Sequence, residues 1–351
     1  MRTAQQSLDL GIYVNNRAAV FLDDYPLATL LEMAVEAEAL GFHSVWVGDS
    51  VLAKPRFSPI VTLGAIAART TRVRLGTSIL QPLFRHPLLL AQEWATLDVL
   101  AGGRTILGVG LGAGAPGALA DELANLGIQK ATRGRRFDEY LTVLKRLWTE
   151  PSVTHEGAFF HLREATPGYQ PVQRPPPPLW IAAGSYIPRD PACVRHGAIP
   201  PAEVGTYRGP FERVARLGDG WFTGQATPEE YATTWQHIVH LATERYSRPR
   251  DAIHPSLVLW INLNDDRAAA RREARAMLED YHRVGVDDET IDRWVLQGSA
   301  ETCLERLAQY AAAGARSVVL VPASPDQPGQ IRRIGERLLP QCAALQLVGG
   351  A

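Results

Sequence analysis

Lysine is nearly missing from this chain. Of 36 basic residues among 351, only Lys54, Lys130 and Lys145 are lysines, and the formal net charge is −1. With no basic excess and no block of like charge, nothing in the composition points to a nucleic-acid partner. Cysteine is scarce too. Cys193, Cys303 and Cys342 lie far apart, form no C-x-x-C, and are odd in number. That excludes a disulfide framework and fits a reducing cytoplasm, the expected localisation. No apolar run reaches the length of a membrane span, and the opening MRTAQQSLDLG has no apolar signal core, so no membrane association is expected. The nine histidines form no H-x-H or H-E-x-x-H pattern, and no G-x-S-x-G elbow occurs. A metal centre and a serine-hydrolase site are therefore not expected.

The residues present are 46% hydrophobic and 21% charged, the balance of a globular chain that buries roughly three quarters of its unfolded surface. Short, almost wholly apolar runs alternate with longer helical patterns. Eight such runs stand out: Leu8–Val14, Ser44–Gly48, Arg72–Leu80, Arg104–Val109, Leu179–Ala183, Gly220–Thr223, Ser256–Leu263 and Arg316–Val321. Apolar runs of this kind are strands covered on both faces. Between them, one helix opens near Asp24 and Pro26, buries Leu27, Leu30, Leu31, Ala34 and Val35, and stops at Gly41. A second carries Phe137, Tyr140, Leu141, Leu144, Leu147 and Trp148 on one face. A third runs from Ser299 to a stop at Gly314. Eight strands with intervening helices and no break in composition predict a single α/β domain, a (β/α)8 TIM barrel. The length exceeds a bare barrel by ~100 residues, which places insertions near 149–178, 185–207 and 264–298.

One stretch argues for a different fold. Gly110-Leu111-Gly112-Ala113-Gly114-Ala115 matches the dinucleotide fingerprint G-x-G-x-x-A. A true fingerprint opens a helix and is followed by an acid at the end of a second strand some ~20 residues later. Here Ala-Pro-Gly follows, and the later segment RGRRFDEYL begins a helix. The run reads better as a turn at the carboxyl mouth of a barrel, where Gly110 lets the backbone approach a flat ring closely.

The other strand ends carry compatible groups. Tyr13, Asn15 and Asn16 follow strand one, Asp49 and Ser50 strand two, Ser78 and Ile79 strand three, Gly184 and Ser185 strand five. Gly184, Ser185 and Gly220 are candidates for holding a phosphate through backbone N–H groups, though each alone also fits a plain turn. Asp49 fits a mouth carboxylate or a helix N-cap equally well. Trp221, Trp260 and Tyr13 fit either core or ring-stacking roles. Strong acids and bases are few, as in a site that positions a cofactor with its own reactivity.

The segments AEALGFHSVWVGDS, RVRLGTSILQPLFRHPLLLAQEWATLDVLAGGRTILGVGLG, RGRRFDEYLTVLKRLW, LWIAAGS, RLGDGWF and GSAETCLERLAQYAAAGARSVVLVP together resemble the luciferase-like monooxygenase superfamily. The wording LGVGLG and ELANLGIQKATRGRR is closer to the branch that uses coenzyme F420 than to the FMN branch. The resemblance implies hydride transfer between reduced F420 and a small organic substrate; the alternative is a two-component monooxygenase using reduced FMN and oxygen, with a separate reductase. It also implies a homodimer, a non-proline cis bond at Ser78-Ile79 and a cofactor site including Asp49, Ser78, Ile79, Gly184, Ser185, Gly220 and Trp221, to which the strand-end reading adds Gly110 and a substrate pocket near Tyr13, Asn15 and Trp260. Two positions depart from the pattern: the usual His after the acid is Ser50, and a Glu found in some sugar dehydrogenases is Ala113. The catalytic candidates left are Asp49, with Ser50 or Tyr13 as proton relay. Loss of the usual His and Glu keeps open a non-catalytic flavin-binding protein. A phosphosugar lyase on the same barrel is a further rival, for which only Lys54 is suitably placed.

Overall fold

The computed structural model describes residues 7–22, 25–112, 116–184 and 208–342. Its strands are β1 (Asp9–Tyr13), β2 (Ser44–Val47), β3 (Arg74–Thr77), β4 (Thr105–Val109), β5 (Val153–Glu156), β6 (His161–Ala165), β7 (Leu179–Ala182), β8 (Gly220–Gly224), β9 (His254–Leu263), β10 (Val295–Gly298) and β11 (Ser317–Pro322). The helices used below are α1 (Leu27–Leu40), α2 (Pro59–Ala67), α3 (Pro87–Leu100), α4 (Pro116–Asn125), α5 (Arg133–Thr149), α6 (Arg208–Leu217), α7 (Pro228–His240), α8 (Arg267–His282), α9 (Asp288–Trp294) and α10 (Ala300–Ala312). Strands β1, β2, β3, β4, β7, β8, β9 and β11 pair in that order, all parallel, and β11 returns to β1. The wall is a closed (β/α)8 barrel, and each of the eight apolar runs supplies one of its strands. Closure rules out the open sheet of a dinucleotide-binding domain.

The helices follow local rules. Gly41 ends α1 in the left-handed region (φ 93°), and its N–H bonds back to Ala37 and Glu38. The buried face of α1 differs from expectation at three residues, with Leu31 and Val35 only half-buried. Leu27, first in the helix, is exposed, while Met33 and Ala37 join Leu30 and Ala34 against the wall. His86 caps α3 by accepting from Leu88 N–H, and Ser299 caps α10 by accepting from Thr302 N–H.

The barrel interior is filled by aromatic rings. Trp46 on β2 lies 5.2 Å from both Trp180 on β7 and Phe222 on β8, centroid to centroid. Strands facing these rings carry glycine. A side chain at Gly11 or Gly76 would overlap Trp46, and one at Gly220 would overlap Trp180. Bulk on some strands is thus matched by its absence on others, the interdigitation a closed cylinder needs.

Two of the three expected insertions lie within the described residues. Segment 149–178 carries the antiparallel β5–β6 hairpin and then runs under the barrel. Buried Asp98 holds it there by accepting from Val172 N–H (2.9 Å), Gln173 N–H (3.1 Å) and Gln173 Nε2 (2.7 Å). Segment 264–298 forms α8, α9 and β10. Strand β10 pairs with β9 from Trp260 to Leu263, on the side that β8 leaves at Val258. Segment 185–207 lies outside the described residues. Among those described, no helix is long and apolar enough to cross a membrane, and no group of His, Cys, Asp and Glu could hold a metal.

Candidate active site

At the carboxyl mouth, Asn16 braces the ends of two strands. Its Nδ2 donates to Gly48 O (2.8 Å) and Phe57 O (2.7 Å), and its Oδ1 accepts from Gly48 N–H (3.1 Å). Next in the chain, Asp49 is buried. Its carboxylate accepts from Gln81 N–H (3.0 Å) and from Arg85 (3.1 Å), while its own N–H donates to Ile79 O (3.1 Å). Burial pushes the Asp49 carboxyl up, against the pull of Arg85 and the Gln81 N–H. Asp49 therefore clamps the turn after β3. It caps no helix, and Gln81 Nε2 adds a third bond to that turn by donating to Asp49 O (3.3 Å).

That turn contains the Ser78-Ile79 bond, which is cis. Ile79 lies against Gly110: a side chain at Gly110 would press on Ile79 Cδ1 at 3.1 Å and on Ala182 Cβ at 3.2 Å. Ile79, Gly110 and Ala182 make one apolar shelf at the ends of β3, β4 and β7, with the Ile79 and Ala182 side chains closing over the glycine.

Ser50 is fully engaged. Its Oγ donates to Glu122 Oε1 (3.1 Å) on α4 and accepts from Lys54 N–H (2.8 Å). The same Glu122 oxygen accepts from Val51 and Leu52 N–H. A hydroxyl with both roles filled is poorly placed to relay a proton.

Gly184 follows β7 with φ +98°, and the atom nearest a side chain there would be Thr223 Oγ1, at 3.2 Å. Thr223 is buried, at the carboxyl end of β8, and its hydroxyl has no partner. A glycine in the left-handed region thus lies beside a buried hydroxyl that has no partner of its own. Ser185 lies outside the described residues. Gly220 and Trp221 need correction. They begin β8, at the opposite end of the barrel, beside Asp219, which accepts from Leu179 N–H (3.0 Å). Trp221 points outward, stacks on Tyr231 at 4.8 Å, and donates to Ala183 O. Their place at the mouth is taken by Thr223 and Gly224. Alternation along the short run Gly220–Thr223 shows which residues share a face, but not which end is which.

The largest departure from the sequence reading is a group of cations around Tyr281, the penultimate residue of α8. Arg56 donates to Tyr13 Oη (2.8 Å) and to Tyr281 Oη (3.1 Å). The Arg17 guanidinium sits 5.4 Å and the Lys54 ammonium 5.1 Å from the Tyr281 ring centre. Lys54 Nζ also meets His282 Nδ1 at 3.0 Å. Trp260 closes one side, edge to face with Tyr281 at 5.1 Å. Gly48 lets the arrangement form, because a side chain there would overlap Arg56 and the Tyr13 hydroxyl. Of these residues, Tyr13 and Trp260 were expected at the site, and Lys54 only for the lyase reading. Arg17, Arg56 and Tyr281 carry no motif that would have marked them.

The two tyrosines titrate in opposite directions. Burial raises the Tyr13 phenol above its ordinary range. Burial opposes ionisation of Tyr281 too, but Arg56, Lys54 and Arg17 outweigh it and bring the phenol down to about 8. Burial, reinforced by Arg56 and Arg17, brings Lys54 down to about 8 as well. Because Tyr281 falls from 10 unfolded to about 8 folded, its ionisation adds no stability below pH 8. The gain grows between pH 8 and pH 10 and is complete above that. Phenolate absorbance should show one tyrosine ionising near pH 8, and Tyr281→Phe should lack it. A wild-type curve with no tyrosine below pH 9.5 would contradict the arrangement.

Fold and site together define a parallel barrel whose carboxyl mouth carries an apolar shelf, a left-handed glycine beside an unpartnered threonine hydroxyl, and a cluster of cations around Tyr281. The family model for luciferase-like monooxygenases matches residues 8–317, and the chain belongs to that family. It is 28% identical over 340 residues to an F420-dependent glucose-6-phosphate dehydrogenase of Microbacterium testaceum, covering 89% of this chain and 92% of the relative. It is 32% identical over 255 residues to an enzyme of the same description from Kineococcus radiotolerans, covering 70% of this chain and 67% of that one. The crystal structure of the monooxygenase RslO1 from Streptomyces bottropensis superposes with a TM-score of 0.73 at 25% identity, over 95% of this chain and 99% of that one.

Proposed function

We propose that this chain is an F420-dependent oxidoreductase moving a hydride between the deazaflavin and a small organic substrate. The alignment with F420-dependent dehydrogenases along 89% of its length carries this reading. The mouth fits the group: Ile79, Gly110 and Ala182 would back the ring, and Gly184 with Thr223 would hold the phosphate. A bound deazaflavin supplies a hydride-transferring carbon that has no oxygen chemistry of its own. The protein's own part is orientation, exclusion of water and proton movement. Tyr13, Asn15 and Trp260 line the substrate side. Of the acids there, the Tyr281 hydroxyl gives or takes the proton, because Ser50 and Asp49 are engaged elsewhere and Tyr13 is held protonated. The kcat/KM for substrate reduction should fall above pH 8 as Tyr281 ionises in the free enzyme. A homodimer, a cytoplasmic location and a separate enzyme that reduces the cofactor complete the proposal.

The test is titration of the purified protein with F420 and FMN, each oxidised and reduced, followed by turnover with oxygen monitored. Binding of F420 at least tenfold tighter than FMN, with no oxygen consumed, is the expected result. Preference for FMN with oxygen uptake coupled to product would favour the monooxygenase reading, which the likeness to RslO1 supports.

A further inference from the structure

Arg17, Lys54 and Arg56 converge on Tyr281, and among the described residues none of the three forms an ion pair with a carboxylate. Arg17 is 3% exposed, and its Nε and Nη1 have no hydrogen-bond partner. Asn15, two residues before it and 0% exposed, has an unpartnered Nδ2. Arg56, by contrast, is satisfied by Tyr13, Tyr281 and Lys54 O. A buried guanidinium with empty donors costs free energy that a ligand can return. The flat fork of arginine matches the paired oxygens of a carboxylate or phosphate.

We propose that these residues form an anion-binding subsite, and that the substrate taken beside the cofactor is a small organic anion whose charged oxygens dock on Arg17 and Asn15 within reach of Lys54. This rests on the F420 reading for what lies beside it, but the subsite is defined by its own residues. The groups facing Tyr281 are Tyr13, Arg17, Lys54, Arg56 and His282, with Arg283 beyond Arg17. With no ligand, the Tyr281 phenolate is the anion that these cations favour. A bound anion takes over that role. Above pH 8, Tyr281 then recovers a proton from solvent, and Lys54 regains the proton it has lost there. Substrate arrival thereby readies the proton donor.

The experiment titrates inorganic phosphate and, separately, acetate into the protein by calorimetry, with and without F420, at pH 7.5 and pH 9. Phenolate absorbance is followed at the higher pH. The proposal expects at least one anion to bind with F420 present, with loss of phenolate absorbance. Arg17→Gln should weaken that binding tenfold or more while leaving F420 affinity intact. The tighter of the two probes distinguishes a phosphate ester from a carboxylate substrate. Lys54→Met serves as second variant, with at least threefold weaker binding expected. Binding of neither anion, unchanged binding in both variants, or displacement of the anion by F420 would overturn the proposal. Failure of F420 itself to bind would sink the cofactor reading alone, because anion binding is also read without it.

Discussion

Trp46→Ala should destabilise the protein by about 3–5 kcal/mol, toward the upper end of what removal of a buried aromatic costs. The ring is fully buried at the centre of the barrel, and its Nε1 donates to Ser44 Oγ at 2.8 Å. The cost depends on how far the surroundings collapse into the hole. Here they collapse poorly. Gly11 and Gly76 face the ring from the flanking strands and have no side chain to move in, and the strands are fixed by pairing on both edges. Trp180 and Phe222 can tilt but cannot fill the space. Urea unfolding followed by circular dichroism measures the loss. Trp46→Phe, which keeps a ring, should lose less than half as much. A loss below about 1 kcal/mol for the alanine variant would mean that the lumen is not packed around Trp46.

Asp49→Ala should cost about 2–3 kcal/mol and weaken F420 binding at least tenfold. The stability term comes from the groups left behind: Gln81 N–H loses its acceptor in a buried turn, and Arg85 keeps only Glu93, at 3.7 Å. Arg85 is 20% exposed, so solvent recovers part of the loss. The binding term comes from geometry. Asp49 ties the Ile79–Gln81 turn to the end of β2, and Ile79 forms the shelf with Gly110. Asp49→Asn keeps an acceptor and should retain most of the fold stability. Fluorescence titration with F420 separates the two effects, because a variant that is destabilised but binds normally would show that the turn keeps its shape without the clamp.

The wall of the barrel was legible because parallel strands covered on both faces are continuous apolar runs, and because Gly41, Gly314 and the Ser299 cap mark where helices stop or start. The place of the candidate backbone positions was legible too: Gly110 and Gly184 were marked by lying at strand ends, and Ser78 and Ile79 by the family resemblance. The side-chain part was not. Arg17, Arg56 and Tyr281 come from the loops after β1 and β2 and from the end of α8, separated by up to 264 residues between Arg17 and Tyr281. Each is an ordinary residue type in an ordinary context, and only folding brings their charges together. Gly220 and Trp221 failed for a different reason: a four-residue apolar run does not reveal its direction relative to the mouth. Ser50 and Asp49 were placed correctly at a strand end; the structure adds that the Ser50 hydroxyl is engaged by Glu122 and Lys54, and that Asp49 Oδ2 is held by Gln81 and Arg85.

One consequence concerns β10. The excursion that carries Tyr281 departs from β9 at its tip and comes home to the same strand, with Asn264 N–H closing the join on Gly298 O at 3.0 Å. It is a loop stitched to a single seam, so the eight strands close on one another without it, while Glu273 on α8 ties it to Asn262 and Ser324. Changes in the part of that stretch around Tyr281 would alter which molecules the mouth admits without breaking the pairing of the eight strands. Selectivity and scaffold are thereby free to diverge separately.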